Sequence, residues 1–149
     1  MSDIYTAHWY DELQQLLNRN AEIEKSAPRG RFKILAELRG DGRSPYVPEG
    51  QSLYFVVLLD DGKCTEYSEI VEAPARKEFD FIFEFPASVF EGVAAATEDP
   101  IAAGLKGTIK ITGDMRVVIR HADLVNVLRD VYAREVDTGW PNGKPPYPA

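Results

Sequence analysis

The chain carries a single cysteine, Cys64, and only two histidines, His8 and His121, among 149 residues. One cysteine excludes an intramolecular disulfide and a thiolate-built metal centre. Neither histidine stands in a nucleophile–base or zinc-binding pattern, so both are expected at the surface. Carboxylate pairs suited to acid–base work are missing too. Asp60 and Asp61 belong to a turn signal, and Asp80 and Glu84 fall on the solvent side of a strand. Gly104, Gly107 and Gly113 lack the Lys-Ser or Lys-Thr that follows the glycines of a phosphate loop. The expectation is a protein with no catalytic or metal-ligating residues and no cofactor, and not an enzyme.

Positive charge is also scarce. Seventeen Lys and Arg face 24 Asp and Glu, a formal net charge of −7. That balance argues against a nucleic-acid partner, which is held by neutralising phosphates. It argues equally against steady attraction to an anionic membrane, although a local basic patch is compatible with it. No apolar run is long enough to span a bilayer, and residues 1–10 lack an apolar signal core. The chain ends Tyr147-Pro148-Ala149, which is not a peroxisomal address. The expectation is a cytoplasmic protein that makes no stable membrane insertion.

Hydrophobic residues make up 44% of the chain, enough for the core of one domain. Residues 6–24 read as an amphipathic helix with Trp9, Leu13, Leu16, Leu17 and Ala21 on one stripe. Residues 31–39 alternate, with Phe32, Ile34, Ala36 and Leu38 on one face. Residues 53–59 are nearly all apolar, as in a central strand. Asp60-Asp61-Gly62-Lys63 is a tight turn, and residues 64–71 form a more polar strand near an edge. Residues 78–85 alternate again, placing Phe79, Phe81, Phe83 and Phe85 on one face. Helices follow after Pro86, at residues 114–121 and at residues 122–136. The period predicts Met115, Val118 and Ile119 inward on the first of this last pair. The order is helix, four antiparallel strands, helices, strand, helices: an α+β pattern with helices on one face of the sheet. Residues 138–149 are rich in Pro and Gly and are expected to form no regular structure. They are a tail to a single domain spanning residues 1–137, either floppy or strapped down by Trp140 and Tyr147.

Between the second and third of these helical segments the chain reads Asp99-Pro100-Ile101-Ala102-Ala103-Gly104-Leu105-Lys106-Gly107-Thr108-Ile109-Lys110-Ile111-Thr112-Gly113-Asp114-Met115. Asp-Pro starts a helical turn, the glycines stop it, and Thr108 to Thr112 alternate as a strand. Gly113-Asp114 ends that strand and caps the next helix. In order and spacing this run resembles the sterol carrier protein 2 family, most strongly over residues 79–128. The resemblance implies a five-stranded, largely antiparallel sheet whose helical side encloses an apolar tunnel. It also implies non-catalytic binding or carriage of a long-chain fatty acyl, sterol or other hydrophobic ligand.

By family position the residues expected to line that tunnel are Phe81, Phe83, Phe85, Val89, Phe90, Val93, Ile101, Leu105, Met115, Val118 and Ile119. Large Phe side chains opposite Ala and Val leave room for a ligand; without the resemblance the same row reads as an ordinary core. The expected partner is a hydrophobic small molecule or lipid, with a protein partner or a homo-oligomer left open. Two rivals stand beside this reading. One is an accessory or interaction module that works with an enzyme on hydrophobic substrates. The other is an enzyme, which lacks a reactive group here.

Overall fold

The helix that opens the fold starts at Thr6, whose hydroxyl accepts a hydrogen bond from the backbone N–H of Trp9 at 3.3 Å. The computed structural model describes residues 1–148; Ala149, the last residue of the expected tail, lies outside the described residues. A two-residue strand, β1 (Ser2–Asp3), precedes helix α1 (Ala7–Arg19). Trp9, Leu13 and Leu17 form the buried stripe of α1, joined by Tyr10. The expected single helix over 6–24 is in fact two. Asn20 caps the C-terminus of α1 and, through its side chain, the N–H of Glu22 in α2 (Ala21–Ser26). A short polar side chain that satisfies backbone groups locally makes Asn a natural break point.

The main sheet comprises β2 (Arg31–Arg39), β3 (Ser52–Asp60), β4 (Lys63–Ile70), β5 (Phe81–Pro86) and β6 (Lys110–Thr112), in the order β4-β3-β2-β5-β6. Four strands were expected to run antiparallel in succession, but β5 pairs parallel to β2, with Ile34 opposite Phe81 and Leu38 opposite Phe85. The connection over 71–80 is long enough to carry the chain back across β3 and β2 before β5 begins, which a parallel neighbour requires. The other pairings are antiparallel.

That crossing covers the outer face of the sheet. Leu35, Val56 and Ile82 are buried there, with Tyr54, Ile70 and Phe79 packed against them. Arg76 reaches Glu37 and Glu84, register partners on β2 and β5, at 3.6 Å each. Phe79 therefore departs from the expected row. A single 3₁₀ turn, Arg76–Glu78, precedes it, and the strand period begins only at Phe81, so Phe79 is turned to the opposite face.

The helices cover the inner face. They are α3 (Ala87–Ala94), α4 (Pro100–Leu105), α5 (Met115–Arg120) and α6 (Ala122–Asp130), the last extended by a π turn over Val131–Glu135. Asp99 caps α4 through the N–H of Ile101 at 3.0 Å, with Pro100 as its first residue. Asp114 caps α5 through the N–H of Arg116 at 3.0 Å. Gly113 sits between β6 and α5 at φ 143°, where a Cβ would stand 2.6 Å from the Asp80 carbonyl oxygen and closer still to Phe81 Cδ1. Only glycine lets the chain pass the phenylalanine row that closely. The tail does form regular structure over two residues: β7 (Thr138–Gly139) pairs parallel with β1, and the Trp9 indole donates to the Thr138 hydroxyl at 3.0 Å.

Candidate ligand-binding cavity

Between the sheet and α5–α6 lies a cavity of about 210 Å³. Its floor is built by strand alternation. Phe32, Ile34 and Ala36 of β2, Phe55, Val57 and Leu59 of β3, Tyr67 of β4, and Phe81, Phe83 and Phe85 of β5 all project to this face. Ala36 is the smallest of them. Its register partners are Phe55 and Phe83, so a gap is left over the middle of the sheet between two large rings. The roof is aliphatic: Val117 and Val118 of α5, Leu124, Val125 and Leu128 of α6, and Val93 of α3. Valines face phenylalanines across a space that neither set fills. Leu17, Ile23 and Pro28 close the side formed by α1 and α2, and Pro100, Ile109 and Ile111 the side formed by α4 and β6.

Few polar groups reach this wall. Tyr67 and Tyr132 pair hydroxyl to hydroxyl, and burial holds the Tyr132 phenol protonated far above its usual range. His121 Nδ1–H donates to the Ser26 carbonyl at 2.8 Å, tying the α5–α6 junction to the end of α2; this histidine is half-buried, not at the surface as expected. Arg129 is the remaining polar lining residue, and no Asp or Glu among the described residues lines the cavity.

Of the expected lining residues, the structure brings Phe81, Phe83, Phe85, Phe90, Val93 and Val118 to the wall. Val89 is half-buried on α3 and lies off it. Four others face solvent: Leu105 is 85% exposed, Ile119 72%, Met115 44% and Ile101 41%. On α5 the inward pair is Val117 and Val118, so the expected phase, with Met115 and Ile119 inward, is corrected by part of a turn. Arg116 and Arg120 mark the outer side of α5, but the four other residues are all apolar, and periodicity over so short a helix does not rank them. Residues from β2, β3, β4 and α6 complete the wall. Their alternation and stripe were visible in the sequence; that they share one cavity with the phenylalanine row was not.

A second site lies on the far side of α3. Glu91 is completely buried. It accepts hydrogen bonds from the hydroxyls of Tyr5 at 2.7 Å, Ser44 at 2.8 Å and Tyr147 at 2.6 Å. Burial pushes its carboxyl above the ordinary glutamate value, against the pull of the three donors. Nearby Asp41 is also partly desolvated, but the Ser88 hydroxyl and the N–H groups of Ser44 and Arg43 hold it below its ordinary value. Tyr46 donates to the Gly143 carbonyl at 2.7 Å and packs edge-on against Trp140. The described part of the tail thus lies against the 41–50 loop and α3.

A family model described as the SCP-2 sterol transfer family matches residues 13–126, most of the chain and all of the sheet. The chain belongs to this family. Its α+β fold, with a five-stranded, mostly antiparallel sheet, is the fold of sterol carrier protein 2. A crystal structure of that protein superposes with a TM-score of 0.75 at 17% identity, covering 89% of this chain and 98% of the other. A possible sterol carrier protein from Thermus thermophilus, solved in solution, gives 0.75 at 20% identity, covering 96% of each chain. UbiJ-SCP2, a ubiquinone synthesis protein, gives 0.50 at 15% identity over 82% of this chain and 93% of its own. No curated protein matches the chain at a significant level. Family membership makes this a domain of the hydrophobic lipid-binding or transfer kind. Among the described residues, no helix is long and apolar enough to cross a membrane.

Proposed function

We propose that this protein binds and carries a long-chain hydrophobic ligand, a fatty acyl chain, a sterol or a similar molecule, in the cavity under α5 and α6. The supporting observation is the cavity itself: a space of about 210 Å³ walled by aromatic rings below and branched aliphatic side chains above. An apolar cavity of ~150 Å³ already stays dry and takes up a benzene ring. This one is nevertheless below the ~300 Å³ lower end of common ligand pockets, which favours a slim flexible chain over a rigid ring system. Binding is non-covalent. The one thiol, on Cys64, is buried and pushed up to about 12 by desolvation, so it stays protonated and unreactive.

The energetics give a quantitative test. Each methylene that leaves water contributes ~0.8 kcal/mol, which is about a fourfold gain in affinity. Displacement of a fluorescent acyl probe by saturated ligands of increasing length should show that step until the cavity is full, then a plateau. Affinity that ignores chain length, or no saturable binding at any length, refutes the carrier reading.

A second reading has its own observation. Ile101 and Leu105 lie one turn apart on α4, as do Met115 and Ile119 on α5, and all four are exposed. Exposed apolar pairs of this kind favour an accessory module that docks on a partner protein. Pull-down with the native chain, against a variant carrying polar residues at Leu105 and Ile119, tests it: loss of a captured partner in the variant supports docking, and capture of none by either refutes it.

A further inference from the structure

We propose that the C-terminal segment is a latch on the cavity: Tyr147 holds Glu91, Glu91 holds α3 in place, and release of the segment lets α3 move so that the occupant exchanges. The proposal rests on the carrier reading for its cargo and adds a device that governs release. It begins with the two sides of α3. Phe90 and Val93, three residues apart, line the cavity. Ser88 and Glu91, also three apart, lie on the opposite side. There the Ser88 hydroxyl donates to Asp41, and Glu91 accepts from Tyr5, Ser44 and Tyr147. The helix has eight residues and no side-chain cap at its N-terminus. So short a helix is not stable alone, and its seat depends on what grips it from outside.

The grip is shared between the body of the fold and the tail. Tyr5 and Ser44 both donate to Glu91 Oε2, whereas Tyr147 donates to Oε1. Without Tyr147 one oxygen of a fully buried carboxylate loses its donor. Water must then reach it, and α3 or the 41–50 loop must give way to admit that water. The tail is lightly held. Beyond β7, Tyr46 donates to the Gly143 carbonyl at 2.7 Å and accepts from the Asn142 N–H at 3.1 Å, and residues 141–144 are exposed. Segments of that kind open at low free energy.

The same cluster gives the latch a sign with pH. The titratable groups that face Glu91 are Tyr5 from the N-terminal turn, Asp41 and Tyr46 from the 41–50 loop, and Tyr147 from the tail. Lys144 in the tail and Glu98 beyond α3 are exposed. Burial, reinforced by the neighbouring Glu91, keeps the three phenols protonated. Asp41 is partly desolvated, but its hydrogen bonds hold it below its ordinary value, so it is already charged. Glu91 is left as the member that changes charge as pH rises from the ordinary glutamate range through neutrality. Burial raises its carboxyl, so its charged form is the one that gains from release into water. Exchange should therefore quicken as pH rises.

The test measures the release of Nile red, a neutral dye, from the full-length protein on rapid dilution, well below the melting temperature. In the wild type the rate should rise with pH. Acrylamide quenching of the half-buried Trp140 should rise with it, since Trp9, the other tryptophan, is fully buried. Tyr147→Phe keeps the ring and removes the donor. At neutral pH it should release the dye about tenfold faster, the size of one lost charge-assisted hydrogen bond. Glu91→Gln keeps an acceptor for the hydroxyls but does not ionise, so it should release at the slow acidic rate throughout. If Glu91→Gln fails to fold, Tyr147→Phe decides alone. Three results overturn the latch and leave the carrier reading standing: a flat wild-type profile, an unchanged rate in Tyr147→Phe, or a pH profile that survives Glu91→Gln and so points to His121 on the cavity wall. Absence of saturable dye binding by the wild type overturns the carrier reading, and the latch with it.

Discussion

Val118→Phe separates a hollow from a packed core. Val118 is half-buried on α5, faces the sheet across the cavity, and stands opposite a floor opened by Ala36. Phenylalanine adds four carbon atoms. If they enter a close-packed interior they must displace neighbours, which costs about 1–3 kcal/mol. If they enter the cavity they leave water without displacing protein, and at ~0.8 kcal/mol per buried methylene the gain is up to roughly 3 kcal/mol. The two situations differ in sign. For a chain of this size each kcal/mol moves the melting temperature by about 2–4 °C. The expected outcome is a melting temperature equal to or a few degrees above the parent, together with a loss of more than about tenfold in acyl-probe affinity, because the ring occupies the chain's space. Thermal melts and probe titrations on the same preparation give both numbers. A melting temperature several degrees lower would refute the hollow at Val118. A stable variant that binds the probe like the parent would show that the ligand does not use this wall.

Three further outcomes follow from single residues. Gly113→Ala drives a Cβ into Phe81 Cδ1 at a φ of 143°, so denaturant melts should show a loss of at least about 2 kcal/mol; a neutral result would mean that β6 passes the row at a greater distance. Leu105→Ser changes a side chain that is 85% exposed, so both the melting temperature and probe binding should match the parent, and a fall in either would contradict the orientation of α4. For Glu91 the sign follows from its raised carboxyl: the folded state holds the proton more tightly than the unfolded chain. This group's contribution to stability is therefore fullest below the ordinary glutamate range and is lost as pH rises through the folded value. The stability difference between the parent and Glu91→Gln, followed from acid to neutral pH, should move against the parent as pH increases, and a difference independent of pH would refute the assignment.

Much of the fold was legible in the chain because its causes are local. Asp99 and Asp114 precede short apolar runs and cap α4 and α5, since a side-chain oxygen near a free N–H needs no distant partner. The alternation of β2 and β5 and the stripes of α1 and α6 state which side of each element avoids water. The run from Asp99 to Met115 carried the family resemblance because caps, stops and alternation fall there in one fixed order. What remained undecided had non-local causes. The parallel pairing of β5 with β2 depends on the 71–80 connection lying across the outer face, where Leu35, Val56 and Ile82 needed cover and where Phe79 was drawn away from its row. The inward residues of α5 depend on its seat against the sheet, because Arg116 and Arg120 exclude one side but Met115, Val117, Val118 and Ile119 are all apolar and a six-residue period does not rank them. Glu91 would be placed in water by its charge alone. It is buried because Tyr5, Ser44 and Tyr147, brought from three distant parts of the chain, supply the hydroxyls that replace its solvent. Arg129 reads in sequence as one cation on a polar helix face; only the seat of α6 opposite the sheet brings it to the wall of a cavity.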